Sequence, residues 1–128
     1  MPSPTPPRFS ATTSVDVDVV LLHVEGEVDL DTADEFEAAL NGSRQSRLPV
    51  VVDLLACTFM DSTGLQRLLR HREESAAAGL RTAVVYTSDG VIARLIDLVA
   101  PGLFESAGST EAARVALTAP DAGDAEAV

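Results

Sequence analysis

Short aliphatic, β-branched runs alternate with helical stripes through this 128-residue chain, and that alternation restricts its fold more than any other feature. Val19 to Glu25 reads as a strand with Val20, Leu22 and Val24 on one face, closed by Gly26. Pro49 opens Val50-Val51-Val52-Asp53-Leu54, an apolar run that suits a strand buried on both faces. Arg81 to Tyr86 is the next strand, Leu103 to Ser106 a short one, and Phe9 to Val15 a first one, closed by an Asp16-Val17-Asp18 turn. Helical stripes fill the gaps. Thr32-Ala33-Asp34-Glu35 has the form of a capping box, with Glu35 reaching back to the Thr32 amide; Ala33, Phe36, Ala39 and Leu40 follow on one face, up to Asn41-Gly42 or a frayed turn towards Arg47. Leu65, Leu68 and Leu69 mark a second helix that lasts until Gly79. Ser88 is placed to cap a third, with Val91, Ile92, Leu95, Ile96 and Val99, stopped by Pro101-Gly102. Ser109 or Thr110 caps a fourth, with Ala113, Val115, Ala116 and Leu117. Strands separated by helices pair in parallel through right-handed crossovers, while the first two can form an antiparallel hairpin. The expected fold is a single α/β domain: a mixed, mostly parallel sheet of about four to five strands with about four helices.

Aromatic residues are only 4% and Trp is absent, so the core must be aliphatic. Four of the seven prolines fall within residues 1–8, which are expected to be a disordered arm; 9–117 form the domain; 118–128, rich in Ala, Asp and Gly, are expected to be a disordered acidic tail. The net charge of −11 resides mostly in the middle. Such a surface repels nucleic acid and anionic membranes, because both are bound through Lys and Arg. All nine basic residues are Arg, which excludes Schiff-base chemistry and a P-loop lysine. The single cysteine, Cys57, excludes an intrachain disulfide and a Cys-rich zinc site, and suits a reducing compartment. Apolar runs fall far short of the roughly 18 residues of a membrane helix. The opening residues have neither the charged n-region nor the apolar h-region of a secretory signal, so a soluble, cytoplasmic protein is expected.

Asp61-Ser62-Thr63-Gly64 lies between a buried strand and an amphipathic helix, at the strand's carboxyl end, where ligands and partners usually meet an open α/β sheet. Ser62 falls at the N-cap or N1 position. One reading is that it merely accepts from an orphan amide, worth about 1 kcal/mol, with Asp61 adding charge at the positive helix end. The acidic stretch from Val15 to Phe36 contains Asp16, Asp18, Glu25, Glu27, Asp29, Asp31, Asp34 and Glu35 and no arginine. It reads as a solvated face, or as a docking surface for a basic partner; the second reading is preferred for Asp29 alone. Calcium is not expected there, because an EF-hand loop needs glycine at position six and glutamate at twelve, where this segment has Asp34 and Leu40. His23 and His71 have no zinc-ligand spacing, and no Gly-x-Ser-x-Gly elbow, Gly-x-Gly-x-x-Gly or Walker loop is present. No cofactor and no metal are expected. Arg67, Arg70 and Arg72 read as a solvated helix face or as partner contacts, and Phe59 and Met60 as core.

Phe59-Met60-Asp61-Ser62-Thr63-Gly64-Leu65 after Val-Val-Val-Asp-Leu resembles the phosphorylation motif of the STAS domain family, typified by bacterial anti-sigma factor antagonists. Gly26-Glu27-Val28-Asp29 followed by Thr32-Ala33 resembles a second signature of that family. The resemblance implies that the protein is not an enzyme. Unphosphorylated, it would bind an anti-sigma factor, often a serine kinase of the histidine-kinase-like ATPase fold, and so release a sigma factor. The partner would phosphorylate Ser62 and free itself, and a serine phosphatase would reset the switch. By position, Asp29, Asp61, Thr63 and Gly64 would contact the partner. STAS domains also occur as constitutive subunits of membrane transporters, including lipid transporters, and as scaffold parts of larger signalling assemblies. Both remain alternatives.

Overall fold

The computed structural model describes residues 8–118. Strands β1 (Phe9–Asp16) and β2 (Val19–Val28) form an antiparallel hairpin, with Phe9 opposite Gly26 and Asp16 opposite Val19. There follow α1 (Ala33–Ser43), β3 (Val50–Met60), α2 (Ser62–Ala77), β4 (Thr82–Val85), α3 (Val91–Val99), β5 (Glu105–Ala107) and α4 (Thr110–Thr118). The sheet order is β1-β2-β3-β4-β5, parallel from β2 onward. The expected mixed α/β fold, with an antiparallel first pair and four helices, is what forms.

Right-handed crossovers between successive neighbours put every crossover helix on the same face of the sheet. Val20, Leu22 and Val24 of β2 and Val52 and Leu54 of β3 accordingly pack with Phe36 and Leu40 of α1, Leu65 and Leu68 of α2, and Ile92 and Ile96 of α3. On the other face, Val19, Val51, Ala83 and Val85 pack with Ala113 and Leu117 of α4 and with the partly buried Leu21 and Ala107. Fully burying an aliphatic or aromatic side chain contributes roughly 1.5–3 kcal/mol, so the first cluster dominates stability. Phe36 is its largest fully buried side chain, and Phe9 meets it edge-on at 6.2 Å between ring centroids.

Several local expectations are corrected. β2 does not stop at Gly26 but passes through it to Val28. Gly26 has φ +94, and a Cβ there would lie 2.1 Å from the Arg8 carbonyl oxygen, so this position admits only glycine. The capping box does not form: Thr32 makes no side-chain cap bond to α1. Its hydroxyl instead donates to the Glu27 carbonyl at 2.9 Å and accepts the Asp29 amide at 2.9 Å. α1 runs through Gly42 to Ser43 and a turn continues to Arg47, the second of its two expected endings, whereas α3 is capped at Gly90 rather than Ser88. Ser109 does cap α4, its Oγ accepting the Ala112 amide at 3.1 Å. Gly79 lies just past α2, where its amide and that of Leu80 bond the Ala76 and Ser75 carbonyls. The regions expected as arm and tail lie outside the described residues, Arg8 and Thr118 apart. The Arg8 carbonyl accepts the Glu27 amide at 2.7 Å, and Thr118 ends α4.

Candidate functional site

Val28 and Met60 are partners at the carboxyl ends of β2 and β3. The Asp61 amide donates to the Val28 carbonyl at 3.1 Å, so the chains leaving both strands start side by side. This brings the Asp29 turn next to Asp61-Ser62-Thr63-Gly64, at the sheet edge where α/β domains present their sites.

Within the motif the roles separate. Asp61 is the N-cap of α2, and its Oδ1 accepts the Gly64 amide at 3.0 Å. Ser62 is the first helical residue, the N1 of its two expected positions, and is exposed; it does not accept the orphan amide, because Asp61 performs that task. Thr63 is half-buried. Gly64 is buried, and a Cβ on it would meet Val28 Cγ1 at 2.6 Å and Met60 Cγ at 3.0 Å. Its lack of a side chain lets the start of α2 lie against the two strand ends, so what it presents to a partner is at most backbone.

Asp29 organises the neighbouring turn. Its Oδ1 accepts the amides of Asp31 at 3.0 Å and Thr32 at 3.2 Å. Its Oδ2 accepts from the Arg8 guanidinium, which also reaches Glu27 Oε2 at 3.2 Å and Asp31 Oδ2 at 3.3 Å. Partial desolvation acts to raise the Asp29 pKa, but the Arg8 charge and the bonds from Thr32 and Asp31 outweigh it and hold the carboxyl below the usual range. The acidic stretch is thus supplied with cations from elsewhere in the chain: Arg8 at its centre, Arg114 on Asp16 at 3.1 Å, and Arg67 on Asp34 at 3.3 Å. Arg67 and Arg70 also bind Glu37, tying α2 to α1. Arg8 had no local sequence signal pointing to the site.

Phe59 corrects another expectation: it is 43% exposed, whereas Met60 is buried. Leu30, in the Asp29 turn, is 75% exposed. The histidines lie apart from the motif. His23 bridges Asp53 and Glu25 at 3.0 Å each, and these bonds, Asp53 first, raise its pKa. His71 is buried in α2 between Arg44 at 2.7 Å and Ser75 at 3.4 Å, and burial, aided by the Arg44 charge, lowers its pKa to about 4. Among the described residues, no group of three His, Cys, Asp or Glu is arranged to hold a metal ion, and no helix is long and apolar enough to cross a membrane.

Residues 10–115 match the model of the STAS domain family. No curated protein sequence matches. Among solved structures, an anti-sigma factor antagonist from Mycobacterium paratuberculosis is similar, with TM-score 0.77 and 25% identity over 85% of this chain and 93% of that one. The anti-sigma factor antagonist SpoIIAA in its unphosphorylated form has TM-score 0.62 and 19% identity, over 84% of this chain and 96% of that one. The Bacillus cell fate determinant SpoIIAA in the phosphorylated form has TM-score 0.61 and 20% identity, over 80% and 96%. These last two are likenesses of fold.

Proposed function

The chain belongs to the STAS domain family, and from that premise we propose that it is an anti-sigma factor antagonist switched by phosphorylation of Ser62. Unphosphorylated, it binds an anti-sigma factor that is also a serine kinase of the histidine-kinase-like ATPase fold, in the cytoplasm. The kinase modifies Ser62 and is released, and a serine phosphatase restores the binding form. The chain is substrate and signal in this cycle, not catalyst. Asp29 and Asp61 flank the serine, and Thr63 and Gly64 complete the surface that the partner reads.

The observation that carries this reading is the division of labour at the start of α2. Asp61 holds the helix cap, which leaves the Ser62 side chain exposed beside the Asp29 turn. A phosphoserine there adds about −1.5 to −2 charge. The helix N-terminus tolerates that charge, so the fold survives. At a docking surface the same dianion costs several kcal/mol when desolvated without a cation, and the acidic turn adds repulsion. Modification therefore acts on docking far more than on folding.

The test uses wild type, Ser62→Ala and Ser62→Asp as parallel baits in lysate of the source organism. Recovery of an ATPase or anti-sigma factor by wild type and the Ala form but not the Asp form is expected, with ATP-dependent phosphate incorporation into wild type alone. Equal recovery of a transporter component by all three overturns the switch and makes the chain a constitutive subunit.

A further inference from the structure

β3 outruns its neighbour. It is 11 residues long against 4 in β4, and their pairing ends at Asp53 opposite Val85. From Leu54 to Met60, β3 is paired only with β2. Among the described residues, its other edge has no strand beside it. Among the described residues, the side-chain bonds to this segment's backbone are those of the Leu55 amide to Asp53 Oδ1 at 3.0 Å and of Cys57 Sγ to the Phe59 carbonyl at 3.3 Å. The segment after β4 turns away into α3, and a groove of about 570 Å³ opens there, lined by Leu55 of this edge, by Tyr86, Thr87, Ala93 and Asp97, and by the end of β5. A smaller cavity of about 90 Å³ shares Leu55, Tyr86 and Thr87 and extends it past Cys57 and Val91. Leu55 is 48% exposed and Val91 51%.

We propose that this uncovered edge of β3 and the groove beside it receive a short extended segment of a partner protein, in which aliphatic and basic side chains alternate. An unpaired strand edge offers a row of N–H and C=O groups that an extended chain satisfies. Side chains of a bound strand alternate between the two sides, so every second one reaches Leu55, Tyr86 or Val91 and calls for an aliphatic group. Asp97 is the charged side chain lining the groove, and the chain carries −11, so the complementary charge is positive. Two register shifts along β2–β3, between His23 and Glu25 and between Gly26 and Glu27, interrupt the flat ladder. They disfavour long pairing with a second copy, which like charge also opposes, and suit a segment of only a few residues. Neither cavity is lined by a residue of the Ser62 motif, and the proposal stands whether or not Ser62 is a phosphoacceptor.

The test is a titration of the full ¹⁵N-labelled chain with an end-blocked Val-Arg-Val-Arg-Val-Arg peptide, followed by NMR. Saturable shifts confined to Leu54–Met60, Tyr86–Asp97 and the adjoining end of β5 are expected, with affinity unchanged in Ser62→Ala. Leu55→Asp, or Val91→Asp if that variant unfolds, weakens binding about tenfold or more. Replacing Arg by Glu in the peptide, or N-methylating alternate amides, does the same. Shifts elsewhere, no saturation, or equal binding of the N-methylated peptide overturns the proposal.

Discussion

The carboxylate of Asp61 accepts the Gly64 amide at 3.0 Å, and that bond relieves its neighbour Ser62 of any capping duty. Asp61→Ala should therefore destabilise the domain by about 1 kcal/mol, the typical value of a lost cap. Ser62→Ala should change stability by less than about 0.5 kcal/mol, as an exposed substitution does. Urea unfolding of both variants checks this. The reverse ranking would make Ser62 the cap.

Gly64 lies against Val28 and Met60 with no room for a methyl group. Gly64→Ala is expected to cost about 1–3 kcal/mol as overpacking, although alanine is the better helix former. A denaturation midpoint equal to that of wild type would show that α2 can shift without loss.

The buried His71 sets an acid limit. Its folded pKa is about 4 against an ordinary 6.5, because burial and the Arg44 charge oppose protonation. As pH falls, the unfolded chain takes up the proton first. This contribution to stability is full above pH 6.5 and is lost as pH falls from there to about 4, by on the order of 3 kcal/mol. His23 has the opposite sign: its raised pKa contributes stability below 6.5 that is lost as pH rises through the folded value, and solvent screens it. Urea midpoints between pH 4 and 7 should rise with pH in wild type and flatten in His71→Gln.

Arg8 spans Glu27, Asp29 and Asp31. Arg8→Gln should raise the Asp29 carboxyl pKa, read by carboxyl-carbon NMR titration, because the nearest cation is removed while the Thr32 and Asp31 bonds remain. Thermal stability should hardly move, since exposed ion pairs contribute little. An unmoved Asp29 would assign its low pKa to the turn alone.

Much of the element order was legible because hydrophobic period and turn chemistry are local. The β-branched run at Val50 and the leucine spacing after Ser62 each carry their own signature. Local pattern misleads where a residue has two local options and a distant contact chooses between them. Thr32 is a good cap by composition, yet the Glu27 carbonyl and Asp29 amide take its hydroxyl. Phe59 reads as core, but two register shifts along β2–β3 leave it half in solvent.

From its sequence alone this protein is an aliphatic α/β domain with an acidic surface and a serine motif at the start of a helix, because each of those depends on neighbours within a few positions. Only the tertiary structure decided that Arg8 pairs with the acidic groups of the Asp29 turn, since hairpin register sets that contact. It likewise decided that β3 runs on beyond β4 to leave an open edge, because strand pairing joins residues whose separation along the chain no local pattern encodes.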